Sequence, residues 1–203
     1  MGKYFGTDGA RGIANVELDC TLAYKIGLAA ATVLTEETHH RAVFFIGKDT
    51  RISSDMLEAA LICGVTGAGA DVVQLGVVPT PTVAMLVSQR ADAGIMISAS
   101  HNPFEYNGIK LFNGSGFKLS DEIENRIEAL IDAGIPLKTG ADIGRVFHKI
   151  TVYWNTVIGL SQVNPIRFNV DYAVTLLQKD DVRGYFGSCV RLECRVGKPY
   201  RSK

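Results

Sequence analysis

Ala93-Gly-Ile-Met-Ile-Ser-Ala-Ser-His-Asn-Pro103 passes directly from a continuous apolar run into a polar loop. A short run with no polar alternation reads as a strand covered on both faces, the kind found in parallel sheets with helices above and below. The loop that leaves it carries Ser100, His101 and Asn102, and Pro103 steers Asn102 away from the helical region, which keeps the segment extended. A serine at the exit of a buried strand is held by a rigid scaffold yet open to a ligand. His101 beside it suits a phosphate or a proton, and Asn102 suits the loop backbone or the ligand. Ser-His-Asn-Pro is equally a good turn sequence, so an ordinary polar turn stays open on composition alone.

Outward from this stretch the chain alternates strand and helix. Upstream, Val43-Phe-Phe-Ile46 and Asp71–Leu75 read as buried strands, with a helix over 53–68 between them in which Gly64 and Gly67 would permit close approach to a sheet. An earlier helix is expected over 21–36. Thr80 is the expected N-cap of another helix, with Pro81 at its first position, where a missing N–H costs nothing. Downstream, 109–112 is a short strand, and Ser120 caps a helix that Gly134 and Pro136 stop. This order over the first 135 or so residues predicts an α/β fold, a three-layer α/β/α domain with a mostly parallel sheet. Such sheets bind ligands beyond the carboxyl ends of their strands, which singles out the loops 47–51, 75–82 and 98–107.

Two further segments carry candidate chemistry. Lys110 follows Asn107-Gly108, a pair that favours a tight turn and would fold its strand back beside the serine loop. A lysine near a reacting hydroxyl serves as acid or base when its surroundings tune it. Thr7-Asp-Gly-Ala-Arg-Gly12 sets a planar guanidinium, Arg11, among glycines that let backbone approach a ligand. Its spacing matches neither a P-loop nor a dinucleotide fingerprint, so readings built on those motifs are rejected. Lys48 and Arg51 add two cations at a strand end, where a salt-bridged helix entrance is the plainer reading.

Composition narrows the partners. The 203 residues have a formal net charge of zero, with 47% apolar and 21% charged residues, as in ordinary globular proteins. Nothing there favours nucleic acid or a membrane surface, which ask for a basic footprint; an anionic small molecule remains compatible. The four cysteines show no paired spacing, and His39-His40 stand apart from other ligand types, so reduced structural thiols in a cytoplasmic protein are expected. No secretory signal or membrane-spanning run is read. A homodimer is left open.

Taken in order, Lys3-Tyr-Phe-Gly-Thr-Asp-Gly-Ala-Arg-Gly12, Gly47-Lys-Asp-Thr-Arg-Ile-Ser53, Met96–Pro103, Asn107-Gly-Ile-Lys110 and Gly116-Phe-Lys-Leu-Ser-Asp121 resemble the α-D-phosphohexomutase superfamily. They look more like its glucosamine branch than its glucose or mannose branches. The resemblance covers roughly residues 1–148 and implies the superfamily's domain I over 1–149. It also implies that Ser100 becomes a phosphoserine, exchanging phosphate with a hexose phosphate through a bisphosphate intermediate and interconverting glucosamine 6-phosphate and glucosamine 1-phosphate. By the same matching Lys110 is an acid/base, Arg11 and His101 support charge at the phosphoryl group, and Thr7, Asn102 and Lys118 contact substrate or phosphate. The phosphate on Ser100 would be one ligand of Mg²⁺.

The resemblance has gaps. Family members are about twice as long, and their metal-binding Asp-Gly-Asp-Gly-Asp-Arg, sugar-reading Gly-Glu-x-Ser-Gly and phosphate-clamping Arg-x-Ser-Gly-Thr-Glu loops are absent from these 203 residues. Residues 150–203 form an atypical tail, read as a partial or aberrant remnant of a second domain and expected to be poorly ordered. A catalytically incompetent fragment, or a mutase for another hexose phosphate, is therefore the alternative function.

Overall fold

Apolar strands and amphipathic helices alternate as the periodicity requires in a computed structural model that describes residues 2–148 apart from 37 and 39. In chain order the elements are β1 (Ala10–Ile13), α1 (Cys20–Thr35), β2 (Val43–Lys48), α2 (Ser54–Gly67) and β3 (Asp71–Val77). They continue with α3 (Thr80–Arg90), β4 (Ala93–Ile97), β5 (Tyr106–Asn113), α4 (Asp121–Ala133) and β6 (Val146–His148), the last preceded by a single 3₁₀ turn at Gly140–Asp142. The expectations about the tail at 150–203 lie outside the described residues.

The strands form one sheet in the order β1-β5-β4-β2-β3-β6. β4, β2, β3 and β6 pair in parallel, whereas β5 runs antiparallel to both β4 and β1. Only β5 opposes the common direction, so the expected mostly parallel sheet is present. Alternation along each strand sends Phe44, Ile46, Ile95, Ile97, Ile109 and Leu111 into one core with α1, α2 and α4. The opposite face is packed by α3, whose Val83 and Val87 lie against the backbone of Gly47 and Gly94. Helices on both faces make the three-layer arrangement.

Local details depart from the sequence reading for identifiable reasons. β1 gives no strand signal of its own, because its residues sit in a glycine-rich segment whose partner strand is distant in sequence. Asn107 and Gly108 lie within β5 and form no turn: the Asn107 amide donates to the hydroxyls of Ser53 and Ser54 at 2.9 and 3.1 Å. The strand nonetheless runs back beside β4, as expected of Lys110's strand. Pro79 occupies the N-cap of α3, which places Thr80 one position later than expected. Ser120 does cap α4, accepting from the Ile123 amide.

The amino-terminal residues are tied to α4 by two carboxylates, Asp132 taking the side chains of Lys3 and Tyr4 and Glu128 taking the backbone. Glu128 accepts the backbone N–H groups of Lys3, Tyr4 and Phe5 at 2.9, 2.7 and 2.7 Å. Burial pushes the Glu128 carboxyl up, but these three donors outweigh it and hold it below the usual glutamate value of 4.5. A carboxyl depressed in the folded state stabilises fully above its unfolded value and stops doing so as pH falls through its folded one. Acid titration of unfolding free energy is therefore expected to show Glu128→Gln losing less stability below pH 4.5 than wild type. Parallel acid limbs would contradict this role.

Candidate functional site

Gly6 and Gly9 exchange backbone hydrogen bonds across Thr7 and Asp8, closing a two-residue turn that feeds β1. Gly9 has φ +91°, and a Cβ there would stand 2.3 Å from the Ile109 carbonyl oxygen, so no other residue fits this approach to β5. Thr7 and Asp8 are exposed at the tip, and Asp8 pairs with Arg11 at 3.1 Å. The register sets Arg11 opposite Gly108, and a Cβ on Gly108 would meet the Arg11 side chain at 3.0 Å. Arg11 thus lies over β5 with its buried Nε lacking a hydrogen-bond partner among the described residues.

Lys110 stands two residues further along β5, so it shares the α3 face of the sheet with Arg11. It lines a cleft of about 160 Å³ with Asp8, Thr80, Lys118 and Glu124. Lys118 is held there by nearly buried Glu124 at 3.0 Å, so its charge is matched within the chain. Lys48 behaves as the plainer reading has it. Burial works against its charge, yet Asp55 at 2.6 Å and Glu58 outweigh that and raise its pKa above the ordinary lysine value.

β4 delivers the serine loop at its carboxyl end. Ser98 donates its N–H to the Gly108 carbonyl at 2.8 Å, so the loop leaves the sheet in the cross-strand row that contains Arg11. Ser100 then adopts φ +58° with its side chain exposed. A left-handed serine costs on the order of 1–2 kcal/mol, and the surroundings hold it there. Its N–H donates to the Ser98 hydroxyl at 3.0 Å, and its carbonyl accepts from Arg51, also at 3.0 Å. His101 is exposed with no hydrogen bond to its ring among the described residues, and Asn102 is half-buried.

The loop therefore gathers Ser100, His101 and Asn102, while the cleft gathers Asp8 and Gly9 of the Thr7 turn with Lys110 and Lys118, and Arg11 lies on the same sheet face beside Gly108. Lys110 pairs with Met96, four residues before Ser100, which is at most about 13 Å of extended chain. That reach keeps the serine within a small ligand's length of Lys110. Two residues that support the loop, Ser98 and Arg51, carry no such role in the sequence reading. Their only signals there are the Ser-Ala-Ser spacing and a cation two residues after Asp49. Among the described residues no group of three His, Cys, Asp or Glu is placed to hold a metal ion.

The architecture and these motifs agree with a family comparison. The model of the phosphoglucomutase/phosphomannomutase alpha/beta/alpha domain I matches residues 2–137. The chain belongs to this family. A phosphoglucosamine mutase from Ruminiclostridium cellulolyticum is 59% identical over 148 residues, covering 71% of the chain and 33% of that protein. One from Clostridium botulinum (strain Loch Maree / Type A3) is 48% identical over 204 residues, covering 98% of the chain, so the alignment runs on past residue 150. The chain spans about two-fifths of that relative, 42%. Among solved structures, a phosphoglucomutase/phosphomannomutase family protein from Burkholderia thailandensis superposes with a TM-score of 0.66 at 27% identity, over 77% of this chain and 35% of that one. In phosphohexomutase terms residues 2–137 are domain I. None of their helices is long and apolar enough to cross a membrane.

Proposed function

We propose that this domain I carries the phosphoryl-accepting serine of a phosphoglucosamine mutase. Ser100 takes a phosphoryl group from a hexosamine bisphosphate and returns it to the monophosphate. As its Oγ–P bond forms, the bond from phosphorus to the sugar oxygen breaks. The hydroxyl proton leaves to a base, and the sugar oxygen is protonated. The observation that carries this reading is the exposed left-handed Ser100, fixed at the end of β4 beside the paired strands β5 and β1, which present Lys110 and Arg11 on the same face of the sheet.

In this reading Arg11 meets the negative charge on the transferring group. A planar guanidinium with an unused buried N–H suits phosphate oxygens, and positioned charge supplies most of the rate in phosphoryl transfer. Lys110 moves the proton at the sugar oxygen, and His101, Asn102, Thr7 and Lys118 complete the contacts. Mg²⁺ prefers an octahedral oxygen set with carboxylates and phosphate. The described residues offer it the Ser100 phosphate without a carboxylate cluster. They do not make a metal site by themselves.

Glucosamine as the sugar rests on the likeness to phosphoglucosamine mutases. The expected location is the cytoplasm, with a sugar phosphate as partner and neither nucleic acid nor membrane. Because the chain spans 42% of its Clostridium botulinum relative, the phosphoryl half-reaction is the activity assigned to it, and full turnover is assigned to the longer protein. The test is to incubate the 203-residue chain with glucosamine 1,6-bisphosphate and Mg²⁺ and map the peptides by mass. One phosphate on the peptide containing Ser100 is expected; no uptake, or uptake on another residue, overturns the reading.

A further inference from the structure

We propose that Arg51 is a positioning residue for phosphoryl transfer, acting as a clamp that presents the Ser100 loop through its backbone. This rests on the reading of Ser100 given above and goes beyond it by assigning the element that sets the serine's geometry. All five N–H groups of the guanidinium are used. Nε donates to Asp49 Oδ2 at 3.0 Å. One terminal nitrogen donates to the carbonyls of Pro103 and Tyr106 at 2.6 and 2.9 Å. The other donates to those of Ser100 and Asn102 at 3.0 and 2.9 Å.

Four carbonyls from one seven-residue stretch thus converge on a single planar cation. The side chain is 11% exposed, and its own orientation is fixed. Asp49 accepts Nε, the Arg51 backbone N–H at 3.0 Å and the Ser54 hydroxyl at 3.0 Å, while the Asp49 N–H donates to Ile97 at the end of β4. Asp49 therefore ties the clamp to the strand that delivers the serine, and Arg51 ties the clamp to the loop. A merely structural salt bridge at the entrance of α2 would need Asp49 alone. It would not need four bonds to the chain around the serine.

This arrangement has a chemical consequence. The carbonyls of Ser100 and Asn102 are taken up by Arg51 and so are not left free to face a phosphate, whose oxygens they would repel. Lysine cannot replace the fork, since its three donors radiate from one point and cannot span four carbonyls. The Ser100 hydroxyl would then sample other orientations, and misplacement by about 1 Å is enough to cost a hundredfold in rate.

The experiment compares wild type with Arg51→Lys in the full 203-residue chain, by hydrogen exchange and by the rate of Ser100 phosphorylation from glucosamine 1,6-bisphosphate. Amides of residues 99–106 are expected to exchange at least about tenfold faster in the variant, with those of β2 and β4 unchanged. The saturated phosphorylation rate should fall about a hundredfold, at an unchanged half-saturating bisphosphate concentration. Arg51→Ala should recover loop protection and rate in part when millimolar guanidinium is added. Unchanged loop exchange, equal loosening of loop and sheet, or a weakened half-saturation at normal maximal rate would each overturn the role. Absence of phosphate uptake by the wild-type chain would instead remove the functional reading itself.

Discussion

Ser100→Gly is expected to reduce phosphate uptake to background while making the chain more stable than Ser100→Ala by about 1 kcal/mol. The two effects have separate origins. Uptake needs the hydroxyl, which both variants lack. Stability responds to the backbone, because position 100 sits at φ +58°. There an L-residue costs about 1–2 kcal/mol, whereas glycine adopts the conformation freely. Glycine also gives the unfolded chain more freedom, which subtracts roughly 0.5–1 kcal/mol. The net gain is thus a fraction of the strain, between about zero and about 1.5 kcal/mol. Alanine keeps the strain, and at this exposed position it forfeits no burial, so it should match wild type within about 0.5 kcal/mol. Urea unfolding of the three proteins, beside intact-mass measurement of bound phosphate, reads both quantities. A glycine variant less stable than the alanine one would show that the left-handed turn is not strained. Retained phosphate on either variant would displace Ser100 as the acceptor.

What is legible in the sequence follows from where the information resides. Ala93–Ile97 announces a buried strand because every residue in it is apolar, and Pro103 announces that the segment after it does not continue as helix. The alternation of strands and helices then implies three layers, since each element has one kind of face to cover. Arg11 and Lys110 are legible as residues, and the register of β5 explains their common face. The supports of the serine loop are not. Arg51 and Ser98 bind backbone carbonyl and amide groups, which every residue possesses, so no side-chain pattern names their partners. Lys118 reads as a phosphate contact, and its pairing with Glu124, six residues on, depends on how the chain turns from its bridge to Phe112 into the first turn of α4. Asn107-Gly108 misleads in a different way: the pair is a turn signal only when solvent faces it, and here it is buried between two strands.

Gly64 shows the same division and sets the second large effect. A glycine inside a helix signals close approach, and the sequence points that approach at the sheet. The surface it meets is α1. A Cβ at Gly64 would stand 2.1 Å from the carbonyl oxygen of Tyr24 and 2.7 Å from the amide nitrogen of Leu28, while one at Gly27 would stand 2.6 Å from the Leu61 carbonyl oxygen. Two glycines therefore let the backbones of α1 and α2 touch. Gly64→Ala sets two magnitudes against each other. Alanine gains up to about 1 kcal/mol of helix propensity. Against this, a contact with main chain cannot be relieved by a rotamer change, so the helices must move apart by about 1 Å, which forfeits a quarter to a half of each dispersion contact along the seam. Leu57, Leu61, Val65, Ile26 and Ala30 are all fully buried there, and overpacking of a well-filled core costs typically about 1–3 kcal/mol, occasionally more. The packing loss outweighs the propensity gain, and a net loss of about 2 kcal/mol is expected, near 4–8 °C in melting temperature for a chain of this size. Cys63→Ala provides the comparison: it lies one residue away on the exposed side of α2 and should change stability by no more than about 0.5 kcal/mol. If Gly64→Ala melts with wild type, the two helices are not in backbone contact, and the packing that orients β2 and its Asp49–Arg51 clamp has to be derived from the sheet alone.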